Sequence, residues 1–443
     1  MTPTVIGLTM FAGMLALMAV RVPIAAAMFI PGALGYWAMS NEPALLNLLK
    51  GSAVARLTVY DLSVIRLFLL MGQFATQGGL SKALFKAAAS FVGHIRGGLG
   101  MASILSAGAF GAVCGSSVAT SATITQVAYP EMKAHGYSGR LSTAALAAGG
   151  TLGILIPPSV PLVVYAILTE QNIAKLFAAA MVPGILAMLG YVVVIGIYCR
   201  VRPDLATPSE PLPWPARWQA LWGIWPIVVI FFIVFGGIYA GVFSPTEGAA
   251  VGAIATMVAG LAQRELSLAG VRASFIGTAE TSAMVFMIFL GADMMNAALA
   301  LTAMPAALAD WVGHLQVSPL VIVASILGFY VLLGCVMDEL SMLLLTIPVI
   351  FPAVMSLDLW GLGPQDKAIW FGILVLMTVG IGLIAPPVGL NVYVVNNIAK
   401  DVPMSETYKG VFPFLAWDAL RVMLLLAFPM LSLGLVRLLY GSS

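Results

Sequence analysis

The side chains of this sequence that could do chemistry lie where otherwise apolar stretches are interrupted. Two interruptions are polar segments and two are proline pairs: Cys114-Gly-Ser-Ser117, Met337-Asp-Glu-Leu340, Pro157-Pro158 and Pro386-Pro387. A proline in a helix removes one amide donor and displaces the carbonyl four residues earlier. Two prolines in succession should free carbonyls such as those of Gly153, Ile154, Gly382 and Leu383. Freed carbonyls beside hydroxyls form a set of hard oxygen ligands that suits a small cation. Half-helix N-termini at the same breaks point positive dipole ends at an anion.

The groups nearest the four breaks are the predicted ligands for an anionic small molecule moved with Na⁺. They are Ser116, Ser117, Thr120, Ser121, Thr123, Thr151, Gly153, Pro157, Pro158, Asp338, Ser341, Gly382, Pro386, Pro387, Gly389, Asn391, Asn396 and Asn397. A single hydroxyl in a membrane helix more often bonds its own backbone or a neighbouring helix. An acid at membrane depth is functional by default. Of Asp338 and Glu339, we expect one to approach the cation or one to cap the helix that follows the tip, and Asp338 is the favoured residue near the site.

The composition predicts that these breaks lie inside a membrane. Of 443 residues, 61% are hydrophobic and 9% are charged, whereas soluble proteins carry roughly 25% charged residues. So few charges cannot cover a water-facing surface of this size. The net charge of +2 provides no basic stripe for nucleic acid. The three cysteines are widely spaced, and no metalloprotease, hydrolase or nucleotide-binding motif occurs, so an enzyme is not predicted.

Ten apolar segments approach the roughly 20 residues that a helix needs to cross a bilayer. They lie near 4–20, 23–39, 58–78, 140–170, 174–199, 219–241, 245–262, 275–303, 368–398 and 411–439. Two further stretches, 98–128 and 318–357, are broken near the middle and are predicted to be re-entrant helical hairpins. Basic residues flank the first hairpin and acidic residues the second, so the first should open to the cytoplasm and the second to the outside. Glu247, which follows Ser244-Pro-Thr, is predicted to cap a helix.

The two halves of the chain resemble each other. Pro157 and Pro386, each the first residue of a proline pair, are 229 residues apart (386 − 157), and Gly93-His94 recurs as Gly313-His314. We predict an all-α integral membrane protein of two repeats, 1–218 and 219–443, each with five spans, one hairpin and one broken span. Because five is odd, the second repeat must be inverted relative to the first. This is the plan of secondary transporters, with substrate and ion sites at the repeat interface.

Five motifs resemble those of the large permease subunit of tripartite ATP-independent periplasmic (TRAP) transporters, the DctM-like family. They are Gly111–Ala119, Pro130–Lys133, Gly153–Ser159, Ser244–Glu247 and Pro386–Asn391. The resemblance implies an elevator-type permease with a scaffold part and a transport part in a bacterial inner membrane. It also implies a periplasmic solute-binding protein and a small four-helix membrane subunit, expected here as a separate chain. The implied cargo is an organic acid, such as a C4-dicarboxylate, a sugar acid or sialic acid, and the coupling ion is Na⁺, with no organic cofactor.

The same resemblance places the cation and substrate region of the family on this chain. It covers Ser116, Ser117, 150–158, 338–342 and 380–391, which adds Gly150 and Gly380 to the candidates. The predicted Na⁺ ligands are Ser117, Gly153, Asp338 and Gly382. Ala385 stands where the family often has threonine, so one hydroxyl of a second cation site is missing. The alternative is a stand-alone organic-anion transporter coupled to Na⁺ or H⁺.

Overall fold

The computed structural model describes residues 2–441, and this part of the chain is helical, with no strand. It contains 21 α-helices and two short 3₁₀ turns, at Tyr60–Leu62 and Pro203–Leu205. The α-helices in chain order are α1 Pro3–Ala19, α2 Ile24–Met39, α3 Glu42–Leu57, α4 Ser63–Gln77, α5 Leu80–Val92, α6 Gly98–Cys114, α7 Ser117–Ala134, α8 Gly139–Leu155, α9 Val160–Leu168, α10 Ile173–Val201, α11 Trp214–Trp222, α12 Trp225–Tyr239, α13 Pro245–Ala262, α14 Leu268–Leu301, α15 Met304–His314, α16 Pro319–Gly334, α17 Glu339–Met355, α18 Pro364–Gly382, α19 Leu390–Ile398, α20 Met404–Ala427 and α21 Met430–Tyr440.

Several of these helices begin at a serine that caps the first turn. Ser116, Ser138 and Ser159 each accept a hydrogen bond from the amide three residues further on. Ser244 forms a reciprocal capping box with Glu247, which confirms the predicted cap. Such caps satisfy amides that have no partner within the first turn. This matters most inside a membrane, where water cannot replace the missing partner.

Only some of the predicted spans are continuous helices. Five helices in the described range are long and apolar enough to cross a bilayer, or up to seven when two bent pairs each count as one span. The predicted span 219–241 is divided between α11 and α12, which meet at 46°. The span 411–439 is divided between α20 and α21 by Pro429, because a proline cannot continue the hydrogen-bond ladder. Helices α3, α5 and α15 were not among the predicted spans.

Both predicted hairpins are pairs of helices. The first joins α6 to α7 through Gly115, whose φ of +68° suits glycine, and Ser116. The second joins α16 to α17 through residues 335–338. Each hairpin is followed by a broken helix, first α8 and α9, which meet at 42°, and then α18 and α19, separated by residues 383–389. The order of elements is therefore the same in both halves, while the inversion of 219–443 relative to 1–218 stays a prediction.

The helices form two packed groups. In one, α2 and α4 pack against α14 and α13, so that both halves of the chain contribute. In the other, the hairpins and broken helices pack with α10 and α20. The groups meet where α4 contacts α6 and α9, and where α14 contacts α17. The four interruptions of the sequence belong to the second group.

Candidate functional site

The hairpins and broken helices interlock across the two halves of the chain. Helix α7 of the first hairpin packs against α19, the short helix after the second proline pair. Helix α17 of the second hairpin packs in the same way against α9, the short helix after the first proline pair. The Pro157-Pro158 segment is buried and the Pro386-Pro387 segment is exposed, and both Pro-Pro bonds are cis. Both hairpins are thereby held against the breaks that sequence analysis singled out.

Polar groups from both halves meet at α7, α8 and α19, and we call Ser117, Thr120, Ser121 and Asn391 the oxygen cluster. The Nδ2 atom of Asn391 donates to Ser117 Oγ at 2.7 Å and to Ala147 O at 3.3 Å. Because the Ala147 carbonyl can only accept, this contact fixes the orientation of the Asn391 amide. All four residues are buried. Asn391 therefore connects the second proline break to the first hairpin.

Two glycines of α8 allow α7 to approach closely enough to form this cluster. A Cβ at Gly150 would collide with Ser121 Oγ. A Cβ at Gly153 would collide with Thr120 Oγ1 and lie 2.6 Å from the Ser116 carbonyl oxygen. Any side chain at either position must therefore separate α7 from α8. The predicted site glycines, Gly150 and Gly153, therefore leave the space that the oxygen atoms of the cluster occupy.

Three oxygens of the cluster lack a hydrogen-bond partner. They are Thr120 Oγ1, Ser121 Oγ and Asn391 Oδ1, and all are inaccessible to solvent. A buried polar group without a partner costs about 1–3 kcal/mol. Neutral hydroxyl and amide oxygens of this kind are ligands that a hard cation accepts. The oxygens present therefore have the chemistry that a small cation needs in its ligands.

Predicted residues of the second hairpin and of α18 make contacts outside this cluster. At the second hairpin, Asp338 Oδ2 accepts from the amides of Leu340 and Ser341 at 3.2 and 3.1 Å, and Ser341 Oγ donates to Asp338 Oδ1 at 2.5 Å. Asp338 is thus the cap that was one of its two predicted roles. A Cβ on Gly382 would lie 2.5 Å from Gly334 backbone, so Gly382 permits the close packing of α16 and α18. Of the four predicted Na⁺ ligands, Ser117 and Gly153 contact the cluster, and Asp338 and Gly382 make these other contacts.

At the second proline break, some of the carbonyls that were expected to be free accept hydrogen bonds instead. Leu383 O accepts from Asn391 N at 3.0 Å, and Gly382 O accepts from Ala385 N at 3.3 Å. Gly389 has φ +56° and its amide lies 3.4 Å from Cys335 O. The expectation that both proline pairs free their carbonyls is therefore wrong for Gly382 and Leu383, because the chain turns back and supplies new amides.

Thr151 belongs to a different network that sequence analysis did not find. Its hydroxyl donates to Ala148 O at 2.7 Å and lies 3.2 Å from Tyr191 OH. Tyr191 donates to Asp418 Oδ2 at 2.7 Å, and Asp418 pairs with Arg421 at 2.8 Å. All of these side chains are fully buried. Gly380 of α18 packs opposite Thr151, since its Cβ would lie 3.7 Å from Thr151 Cβ.

A cavity of about 1070 Å³ separates the two groups of helices. On one side it is lined by α2, α4 and α14, and on the other by both hairpin tips. The tips contribute Ser116 from the first hairpin and Asp338 and Glu339 from the second. No lysine, arginine or histidine lines it within residues 2–441. The cavity is large enough for a small organic molecule.

Ion pairs lie on a second, polar cavity of about 540 Å³ at the base of the first hairpin. Lys133 pairs with Asp401 at 2.8 Å, and Arg140 pairs with Glu406 at 2.6 Å. Tyr129 also donates to Asp401 at 2.7 Å. The hydrogen bond from Lys133 lowers the pKa of the Asp401 carboxyl below its usual range, with Tyr129 contributing. Lys133 and Tyr129 thereby connect the first hairpin to the segment between α19 and α20, and Arg140 connects α8 to α20.

A known protein family matches this chain over most of its length. The family model described as "Tripartite ATP-independent periplasmic transporter, DctM component" matches residues 11–431. This chain belongs to the DctM family. It is therefore the large permease subunit of a tripartite transporter, an integral membrane protein and not an enzyme.

Relatives within the DctM family cover most of this chain. The C4-dicarboxylate TRAP transporter large permease protein DctM of Pseudomonas aeruginosa is 36% identical over 379 residues, which is 85% of this chain and 86% of the relative. The sialic acid TRAP transporter large permease protein SiaM of Vibrio cholerae is 28% identical and covers 92% of this chain and 93% of its own length. Among solved structures, the YdaH transporter of Alcanivorax borkumensis shares the fold, with a TM-score of 0.61, 15% identity, and coverage of 88% of this chain and 89% of that chain.

Proposed function

We propose that this DctM-family subunit uses a Na⁺ gradient to import an organic acid across a bacterial inner membrane. A periplasmic solute-binding protein delivers the acid, and a separate small membrane subunit completes the transporter. The observation that carries the Na⁺ coupling is the oxygen cluster, because buried Ser121 Oγ and Asn391 Oδ1 have no partner. Relatives named for C4-dicarboxylate, sialic acid and 2,3-diketo-L-gulonate support an organic acid as cargo.

The two groups of helices support an elevator mechanism. We assign the group around α2, α4, α13 and α14 to the scaffold, and the hairpins with α8, α10, α18 and α20 to the transport part. The 1070 Å³ cavity lies between them and contains both hairpin tips. Cargo bound at the tips would move with the transport part, and Na⁺ held in the oxygen cluster would fix the first hairpin against α8 and α19.

The experiment is uptake of labelled organic acids by proteoliposomes, with and without an inward Na⁺ gradient, the small subunit and the binding protein. Uptake that needs all three proteins and Na⁺ is the expected result. Uptake by this chain alone would instead establish the stand-alone transporter. Uptake that is indifferent to replacement of Na⁺ by K⁺ would refute the coupling.

A matched pair of variants tests the oxygen cluster itself. Ser121→Ala removes one orphaned hydroxyl, and we expect the Na⁺ concentration for half-maximal uptake to rise about tenfold, equivalent to about 1.4 kcal/mol. Ser106→Ala is the control, because Ser106 is also buried but its hydroxyl donates to Ser103 O within its own helix. Equal Na⁺ activation in both variants would remove Ser121 from the site.

A further inference from the structure

The two hairpin tips that face the cavity differ in charge. The helix after the first tip, α7, is capped by the neutral hydroxyl of Ser116, which accepts from Ala119 N at 3.4 Å. The helix after the second tip, α17, is capped by the Asp338 carboxylate, and Glu339 follows it. Ser116, Asp338 and Glu339 all line the cavity. Cargo between the tips therefore meets a neutral cap on one side and two carboxylates on the other.

The Asp338 carboxylate is already engaged by its own helix. Both of its oxygens accept hydrogen bonds, from the amides of Leu340 and Ser341 and from the Ser341 hydroxyl. Its negative charge also offsets the positive end of the α17 dipole. The second tip consequently offers no helix N-terminus to an anion, and Asp338 has little capacity left for a ligand.

Unlike Asp338, Glu339 has a carboxylate oxygen without a hydrogen-bond partner. The residue is 7% exposed, and this oxygen, Oε2, is inaccessible to solvent. The lining that α9 and α19 add to the cavity is apolar, from Val160, Pro161 and Leu390. A buried charge without a partner is costly, and no basic side chain lines the cavity within residues 2–441. A charged Glu339 therefore needs a positive group that comes from outside the chain.

The surroundings of Glu339 favour a nitrogen cation over a metal cation. Na⁺ prefers several oxygen ligands at once, and such a set exists in the oxygen cluster, whereas most of the cavity lining is apolar. An ammonium group on an organic molecule needs fewer oxygens and brings apolar surface that this lining can bury. Across the cavity, the neutral cap of α7 leaves the positive end of its dipole available to a carboxylate.

We propose that the cargo is a zwitterionic organic acid, with its positively charged nitrogen held by Glu339 and its carboxylate directed to the Ser116 tip. This rests on the proposed transport of an organic acid and narrows the class of that acid. It assigns Glu339 a role in specificity that a transporter of simple dicarboxylates does not need.

The test compares acids that differ only in an amino group. Binding of succinate and aspartate, of propionate and alanine, and of 4-methylpentanoate and leucine to the purified chain is measured in Na⁺ by thermal stabilisation. The amino member of at least one pair should bind about tenfold more tightly. Glu339→Gln, which keeps the shape of the side chain, should abolish that preference. Glu280→Gln is the control, because Glu280 is exposed and lies outside the cavity lining.

The outcomes separate this proposal from the proposed function. Na⁺-dependent binding of the amine-free acids only, or an amino preference that survives in Glu339→Gln, overturns the zwitterion but leaves organic-acid transport standing. A Glu339→Gln chain that needs more Na⁺ for both members of a pair equally identifies Glu339 as an ion ligand, and the proposal also falls. Failure of Na⁺ to promote binding of any probe overturns the proposal, and uptake by proteoliposomes that contain all three proteins then decides separately whether organic-acid transport stands.

Discussion

Neutralising Asp418 alone should destabilise this protein severely. Asp418 and Arg421 are both fully buried and 2.8 Å apart, and Asp418 also accepts from Tyr191 at 2.7 Å. In Asp418→Asn the shape is retained, but the Arg421 guanidinium is left as an uncompensated charge. Removing one partner of a buried ion pair costs about 3–5 kcal/mol. We expect a loss of this size in thermal unfolding of the purified chain.

A double variant distinguishes the charge effect from a packing effect. Arg421→Met should cost a similar amount, since it leaves Asp418 uncompensated. The double variant Asp418→Asn with Arg421→Met removes both charges and should recover most of the loss, because a buried pair replaced as a whole is often nearly neutral. Losses that simply add in the double variant would show that the two residues act independently, and the reasoning from the ion pair would be refuted.

Three further predictions concern other contacts. Gly153→Ala should destabilise by about 1–3 kcal/mol and raise the Na⁺ concentration for half-maximal uptake, because its Cβ would collide with Thr120 Oγ1; unchanged Na⁺ activation would contradict this. The Lys133–Asp401 pair holds the pKa of Asp401 low, so its stabilisation is present above the ordinary aspartate pKa and is lost as the pH falls through the lowered value. In Lys133→Met this loss should begin at higher pH in stability measurements, and an identical pH profile would argue against the pair. Glu247→Ala should cost about 1 kcal/mol in thermal unfolding through loss of the capping box, and an unchanged midpoint would disprove it.

The hairpins and breaks could be predicted because their signals are local. Glycine, serine and proline inside long apolar runs mark interruptions of a helix, and α6 ends at Cys114 and α8 at Leu155, next to two of the predicted interruptions. Helix α3 was not predicted as a span, because it carries Lys50 and Arg56. Arg56 pairs with Asp293 of α14, a contact across 237 residues that no local pattern indicates.

The residue types of the site could be predicted, but the residues that contact each other could not. Serine and asparagine near the breaks were singled out, but the contact between Ser117 and Asn391 joins residues 274 apart in the chain. Asp418 and Arg421 could have been found, since an acid and a base three residues apart on one apolar helix are a local signal. Their connection to Thr151 through Tyr191 could not, because it depends on how α8, α10 and α20 pack.

The interlocking of the two halves has a consequence for biosynthesis. Asn391 donates a hydrogen bond to the Ser117 hydroxyl. The ribosome adds Asn391 only after nearly nine-tenths of the chain has been made, so the first hairpin is inserted long before its partner helix exists. Contacts of such separation form late and leave polar surface open in the meantime. A nascent chain that stops before α19 would leave the Ser117 hydroxyl without its Asn391 partner inside the bilayer. Completion of the first hairpin therefore depends on the last quarter of the chain.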